Sequence, residues 1–498
     1  MLAAVRTFTL DGIAARPVRV EVDVHRGLPA FQVVGLPDAA VRESRERVRA
    51  ALTNCGHQFP LQRIVANLAP ASLRKAGPGL DLAIAAALLI ASEQLEWADR
   101  HPPAMVGELA LDGSIRSVPG ALAIAEAARE LGEETVVVPA GNGPEAALVD
   151  GIEVIALDGL TQLAALAAGG PRPEPPTPLT LQLSSEASAP DLADLRGQRH
   201  LRYALEVAAA GGHSLLMIGP PGAGKSLAAA RLPSILPPLA REEALEVARI
   251  AGACGRLNGR PLGGRPFRAP HHTISPAALI GGGNPPRPGE ATLAHRGVLF
   301  LDELCEFRRD TLEALRAPLE SGWVSVVRTG SARRLPCRFM LIAAANPCPC
   351  GRGEADPDCS CPPLDVRRYR GRLSGALADR IDILVAVRQP AAAEISGEAG
   401  EASAPVRDRV TVARERQERR LGPGRCNAEM TPAEVRECPL SEGSAALLAD
   451  SYARRRLSGR AHDRVLRLAQ TIADLAGSEA IERDQVAQAL QLRRRDHD

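Results

Sequence analysis

Aromatic side chains are scarce: three tyrosines, two tryptophans and seven phenylalanines make up 2% of 498 residues. Base stacking on aromatic platforms therefore cannot dominate any contact with nucleic acid, and arginine and lysine would have to grip the backbone instead. An excess of positive charge is missing too, since 60 basic residues face 59 acidic ones for a net charge of +1. A polyanionic partner is not excluded, but the cations that meet it must be gathered locally. The longest apolar run, Leu82 to Ala91, falls far below the ~20 residues that cross a bilayer, so no membrane role is expected. The start, Met1-Leu-Ala-Ala-Val-Arg-Thr-Phe8, lacks the basic region and apolar core of a secretory signal. The ten cysteines do not suggest a disulfide framework in a chain of this size. The cytoplasm is the expected compartment. Hydrophobic content of 45% and charged content of 24% are ordinary for a globular protein, and the length suggests about three domains.

What is present centres on one stretch, Gly219-Pro220-Pro221-Gly222-Ala223-Gly224-Lys225-Ser226. Two glycines five apart followed by Lys and Ser form the phosphate-loop pattern. Ser214 to Ile218 reads as a buried strand before it, and Leu227 onward as a helix after it. In that setting the loop's N–H groups and the helix N-terminus face a triphosphate. Lys225 reaches the β and γ phosphates, and Ser226 helps to hold Mg²⁺. ATP is the expected ligand.

Three further stretches extend this site. Gly297 to Leu301 is an apolar strand ending in Asp302 and Glu303. After a phosphate loop, Asp302 would hold Mg²⁺ through its waters and Glu303 would polarise the attacking water. Arg338 to Ala345 is another strand, and it ends at Asn346. Asn346 could bond the nucleophilic water or the γ-phosphate, the alternative being a turn residue before Pro347. The stretch Leu373 to Ile383 contains Asp379-Arg380 and resembles the AAA+ segment that supplies an arginine finger to a neighbouring subunit. A planar fixed cation suits that transition state. Arg372 is a second candidate, and a surface Asp-Arg pair the plain alternative. In AAA+ proteins an arginine at the start of the lid's main helix reports nucleotide state within its own subunit. Arg460 takes that place here, with Arg464 in reserve one turn on.

Elsewhere the chain divides by pattern. Residues 1–168 alternate strands (Val18 to Val24, Gln62 to Asn67, Thr135 to Val138) with helices (Ala39 to Leu52, Leu80 to Leu95), an α/β domain. Within it, Ala69-Pro-Ala-Ser-Leu-Arg-Lys75-Ala-Gly-Pro78-Gly79-Leu-Asp81 and Gly107 to Gly120 look like the active-site segments of the Lon-type protease (ribosomal S5 domain 2-like) fold. Gly79 and about Leu122 stand where the proteases carry Ser and Lys, so a Ser-Lys mechanism cannot run. The domain is expected to be a scaffold or partner-binding module. Residues 169–190 are rich in Pro and Ser and read as a mobile linker. Residues 191–389 form the nucleotide domain. Residues 390–430 form a hinge with a charged, solvated helix at Arg407 to Arg420. Residues 431–498 form a helical lid with an apolar stripe of Leu466, Leu468, Ile472 and Leu475.

Two insertions lie between the nucleotide motifs. One is glycine-rich and contains His271-His272, a pair in a loop that usually does not bind metal. The other, Val324 to Leu335, reads as a β-hairpin with Arg328, Arg333 and Arg334 near its tip. Such hairpins line the pore of helicase and chelatase AAA+ rings, and in a hexamer they would concentrate positive charge. A plain solvated hairpin is the alternative. Cys348-Pro-Cys350 and Cys359-Ser-Cys361, eight residues apart, suggest a structural Zn²⁺ site. The one-residue spacing within each pair is shorter than usual, and free thiols are the other reading.

The order of these segments across nearly the whole chain is similar to the ComM/YifB family, also called magnesium-chelatase-like. It comprises a non-proteolytic Lon-like domain, an AAA+ phosphate-loop core and a C-terminal helical lid. Cys305 departs from the family's Leu-Asp-Glu-Leu-Pro-Glu-Phe stretch, where Pro is expected. The resemblance implies a homohexameric, ATP-driven DNA helicase that promotes branch migration in natural transformation and recombination, with recombination proteins as partners of the first domain. A chelatase motor that inserts metal into a porphyrin and a protein-remodelling ATPase are the alternatives.

Overall fold

The strict alternation of Val18, Val20, Val22 and Val24 with charged residues puts one buried face on a strand. The computed structural model describes residues 1–97, 101–182, 190–257, 262–283, 287–328, 331–353, 356–372, 377, 379–455 and 459–493. It divides into two compact units, the first Met1–Gln182 with Arg241–Leu262 and Asn284–Pro288, the second the remainder.

In the first unit, β1 (Leu2–Asp11), β2 (Ala14–His25), β3 (Ala30–Val34) and β4 (Arg63–Ala69) form a sheet of order β1-β2-β4-β3, antiparallel except for β3 beside β4. Helix α1 (Ala39–Asn54) is capped by Asp38, whose side chain accepts the Val41 N–H at 2.9 Å. Helix α2 (Asp81–Ala91) is buried nearly all round, so its polarity is confined to its first residue. It is shorter than the apolar pattern predicts, because Glu93 takes a left-handed φ of 62° just beyond its end. Asp81 is fully buried and accepts from Ser44, from Arg47 Nε at 2.6 Å and from the Leu109 N–H at 3.3 Å.

Two expectations change in this unit. The Pro-rich stretch is not free chain throughout. The Leu179 N–H donates to Pro144 O at 2.9 Å, and Leu179 and Leu181 pack on the first unit's core. Of that stretch, residues 183–189 lie outside the described residues. The amphipathic helix Arg241–Ala253 follows the phosphate-loop helix in sequence but belongs to the first unit. There Ala248 is buried with Ala121, Leu122 and Ala125, and Arg249 pairs with Glu126 at 2.7 Å.

The second unit is built on a parallel five-stranded sheet. Its strands are β5 (Leu215–Ile218), β6 (Phe267–Arg268), β7 (Val298–Leu301), β8 (Met340–Ala345) and β9 (Ile383–Ala386), in the order β6-β7-β8-β5-β9. Apolar runs without alternation suit strands covered on both faces. Helix α3 (Lys225–Ile235) follows β5, the strand between β8 and β9. Helix α4 (Ser403–Leu421) is helical as expected but not solvated all round. Val406, Val410, Ala413, Gln417 and Leu421 are buried, and Gln417 Nε2 donates to Ala210 O at 3.0 Å. The C-terminal helices are Glu442–Arg455, α5 (Gly459–Ala476) and Arg483–Gln491. The predicted stripe is the inner face of α5, with Leu466, Leu468 and Ile472 buried and Leu475 partly so. Polar groups on the same helix reach the sheet: Thr471 Oγ1 lies 2.8 Å from Nε2 of His213, the buried residue leading into β5.

Removing Arg47 leaves the Asp81 carboxylate buried without its cation. R47M is expected to destabilise the first unit by about 3–5 kcal/mol, read as an earlier first transition in chemical denaturation of the full chain. A loss below ~1 kcal/mol, the range of exposed ion pairs, would contradict this placement.

Candidate nucleotide site

Parallel registers bring the motifs to one edge. Ile218 is level with Ala345 and Ala386, and Leu301 with Ala343. The phosphate loop, Asp302 and Asn346 therefore all emerge from carboxyl ends of strands, where open α/β sheets bind ligands. Gly222 and Gly224 take left-handed φ of 77° and 89°, which lets the loop fold back before α3 begins at Lys225.

Lys225 is 8% exposed. Its ammonium donates to Gly219 O at 2.6 Å, Pro220 O at 2.9 Å and Asn346 Oδ1 at 3.2 Å, which uses all three of its donors. Burial lowers its pKa, while Asp302 and Glu303 oppose the shift. Ser226 Oγ donates to Asp302 Oδ2 at 2.6 Å. These two hard oxygens, held together at the loop, fit a Mg²⁺ ion that keeps most of its waters. Gln198 braces the loop from behind, its Nε2 donating to Arg388 O at 2.5 Å and to Ala223 O at 3.4 Å.

Glu303 stands at φ 52°, ψ 47°, a left-handed conformation uncommon outside glycine. Its carboxylate lies 3.2 Å from His272 Nδ1, and the His272 ring lies 4.1 Å from that of His271 and edge-on to Phe307 at 6.4 Å. The histidine pair thus has a partner in the expected base. No sequence spacing signals this contact, because it spans two loops.

Arg380 is paired with Glu320, its peptide oxygen accepts from Ser214 Oγ at 2.7 Å, and the adjoining residues 373–376 and 378 lie outside the described residues. Burial, then the neighbouring guanidiniums of Arg316, Arg460 and Arg464, push its pKa down. Arg460, exposed at the start of α5, thus adds to the positive field at Arg380. Arg464 is tied to Asp382 at 3.6 Å, and Arg372 is held by Glu306 at 2.9 Å and by Cys305 O at 3.0 Å.

In the hairpin of Trp323–Arg328 and Ser331–Pro336, Val324 faces Leu335, Val326 faces Arg333 and Ser325 faces Arg334. Val324, Val326 and Leu335 are buried, so alternation sets Arg333 on the packed face and Arg334 on the other. Arg334 is exposed, with its guanidinium 5.3 Å from the centre of the Trp323 ring. Thr329 and Gly330 at the tip, and the side chain of Arg328, lie outside the described residues.

Among the described residues, one group has the donors of a metal cage: Cys348, Cys350, Cys359 and Cys361, with sulfurs all within 4.8 Å of one another. The pair distances include 3.3 Å for Cys348 and Cys350 and 3.7 Å from each of these to Cys359. A tetrahedral Zn–S₄ site with bonds of about 2.3 Å has edges of about 3.8 Å, so the set fits. The Arg352 N–H, followed by the neighbouring thiols, holds Cys350 down at about 6, favouring its thiolate.

Residues 191–395 match the family described as magnesium chelatase, subunit ChlI. Residues 20–142 match the description subunit ChlI of Mg-chelatase, and residues 400–493 its C-terminal counterpart. The competence protein ComM of Haemophilus influenzae is 39% identical over 98% of this chain and 97% of its own length. YifB of Salmonella typhimurium is 43% identical over 99% and 97%. The chain belongs to the ComM/YifB family of magnesium-chelatase-like AAA+ proteins. An uncharacterised protein of Mycobacterium tuberculosis is 46% identical over 97% of the chain and 96% of its own length. The fold accords with this, as an AAA+ core followed by a helical C-terminal region, and the family suggests ATPase activity. No helix among the described residues is long and apolar enough to cross a membrane.

The Glu303 carboxylate lies 3.2 Å from His272 Nδ1, a contact with which a nucleotide-bound arrangement would have to compete. H272A is expected to raise basal ATP turnover by up to about fivefold, since a half-exposed contact of this kind contributes at most ~1 kcal/mol. A steady-state assay without cargo checks this, and a fall in turnover would show that His272 supports the base instead.

Proposed function

We propose that the chain is a ring-forming ATPase that moves along DNA and promotes branch migration in transformation and recombination. Lys225, Ser226 and Asp302 bind the Mg²⁺-bound triphosphate of ATP, Glu303 activates water, and Asn346 orients it or reports loss of the γ-phosphate. Arg380 serves the site of a neighbouring copy in a hexamer, in a positive field to which Arg316, Arg460 and Arg464 contribute. Arg460, at the start of α5, reports nucleotide state from within its own subunit. The observation that carries the ATPase reading is the convergence of Lys225 and Asn346 at 3.2 Å.

DNA as cargo is supported by the competence protein among the relatives and by the hairpin. Arg334 is the arginine best placed to meet a phosphate backbone, with Arg328 and Arg333 assisting. Phosphate contacts of this kind need no aromatic platform and weaken steeply with salt. The first domain, without protease residues, serves to bind recombination partners. The four cysteines hold a structural zinc ion.

A second reading, a motor of metal insertion into a porphyrin, is favoured by the family's description. Against it, the magnesium-chelatase 38 kDa subunit of Acidiphilium rubrum matches only 35% of the chain. ATP turnover measured with branched DNA, with porphyrin and chelatase partners, and with unfolded protein separates the readings. Stimulation by DNA alone is expected. K225A and E303Q should abolish both turnover and unwinding of branched DNA, and R334A should weaken DNA binding and flatten its salt dependence. Unwinding retained by either nucleotide-site variant would refute the scheme.

A further inference from the structure

Between Asn346 and Cys348 stands a single residue, Pro347, whose carbonyl accepts from Arg370 Nε at 3.2 Å. Cys348 is fully buried and receives the Gly353 N–H on its sulfur at 3.2 Å. The chain turns at Gly351, with φ of 85°. A Cβ there would lie 2.8 Å from Cδ of Pro221 in the phosphate loop and 3.9 Å from Nδ2 of Asn346. The thiol loop thus continues directly into the sensor and also lies flush against the phosphate loop. Asn346 is in turn bonded to Lys225.

Backbone turns and an Arg352–Asp358 pair at 2.8 Å give this loop local order, but most of it is exposed. Of its four cysteines only Cys348 is buried; Cys350 is exposed, and Cys359 and Cys361 are intermediate. Its remaining residues include Gly351, Gly353, Asp356, Pro357 and Asp358, which bury no apolar surface worth counting. With the four sulfurs already within 4.8 Å of one another, a bound metal would tie Cys348 and Cys350 to Cys359 and Cys361 across the loop and add its binding free energy to the order of the segment. A four-cysteine set leaves no open coordination position, so its use is structural.

We propose that the four cysteines, when they hold a zinc ion, clamp the nucleotide site: they fix Asn346 against Lys225 and Gly351 against Pro221, and ATP hydrolysis depends on that clamp. This rests on the ATPase reading for its functional consequence, while the clamp itself is a property of the zinc-loaded chain without nucleotide. Cysteine chemistry remote from the phosphates would thereby set whether the motor runs, and loss of zinc would stop it.

The test uses the full-length protein. Zinc content by atomic absorption is expected to be one per chain. Hydrogen exchange should rise in residues 346–353 and 219–224 when a chelator strips the metal, and fall again when zinc is returned. Turnover should follow the same cycle, dropping by about 10–100-fold, the usual cost of losing a residue that positions a functional group. C359S/C361S should reproduce the loss, and N346A added to that variant should cost little more, because both act through one contact. Zinc released with no change in exchange across the phosphate loop would overturn the proposal, as would independent, multiplying losses in the combined variant. A protein that binds zinc and shows the exchange coupling but never hydrolyses ATP would overturn the ATPase reading and leave the clamp standing.

Discussion

The buried ammonium of Lys225 is the constraint on which the second unit depends. Buried at 8% exposure, a cation must be fully partnered or give up its proton. Its partners are two carbonyls of its own loop and the amide oxygen of Asn346. They draw the loop after β5 and the residue after β8 to one point. Triphosphate oxygens would replace those acceptors, so nucleotide binding exchanges an internal set of bonds for an external one. Every other feature of the site is placed relative to that exchange. Ser226 and Asp302 stand beside it, Gln198 braces it, and the thiol loop presses on Pro221.

The lid is joined to the same sheet by buried polar contacts rather than apolar packing alone. His213 touches Thr471 and lies 3.5 Å from Asp382, which also faces Arg464 at 3.6 Å. Asn427 reaches Thr471 at 3.0 Å and Asp474 at 2.8 Å, and Arg420 reaches Asp474 at 2.8 Å. Such networks are costly when half satisfied, so they favour one arrangement of lid and core. Asp382 lies two residues after Arg380, which ties the position of Arg380 to that of the lid.

Much of this was legible in the chain because it is local. The phosphate loop is contiguous, and the strands before Asp302 and Asn346 announce themselves by apolar runs, so their convergence follows from a parallel sheet. The cysteine cluster was visible from spacing. Contacts that span loops were not visible. Nothing in the sequence places His272 beside Glu303 or Arg380 beside Glu320. Composition misled where packing overrode it. The proline-rich stretch reads as coil, yet Leu179 and Leu181 are drawn into a core. The apolar face of Arg241–Ala253 shows a helix but not that its partner lies over a hundred residues upstream. The three hairpin arginines read as one patch, and period-two alternation splits Arg333 from Arg334.

The central claim is that each chain holds half of a hydrolytic site, with the phosphate loop on one part and the Arg380 group offered to a neighbour. Mixing K225A chains with R380A chains tests it most directly. Each variant alone should be inactive. In the mixture an intact loop from an R380A chain can meet an intact Arg380 from a K225A chain, and ATP turnover should reappear in proportion to such junctions. A mixture as inactive as its components would contradict the account.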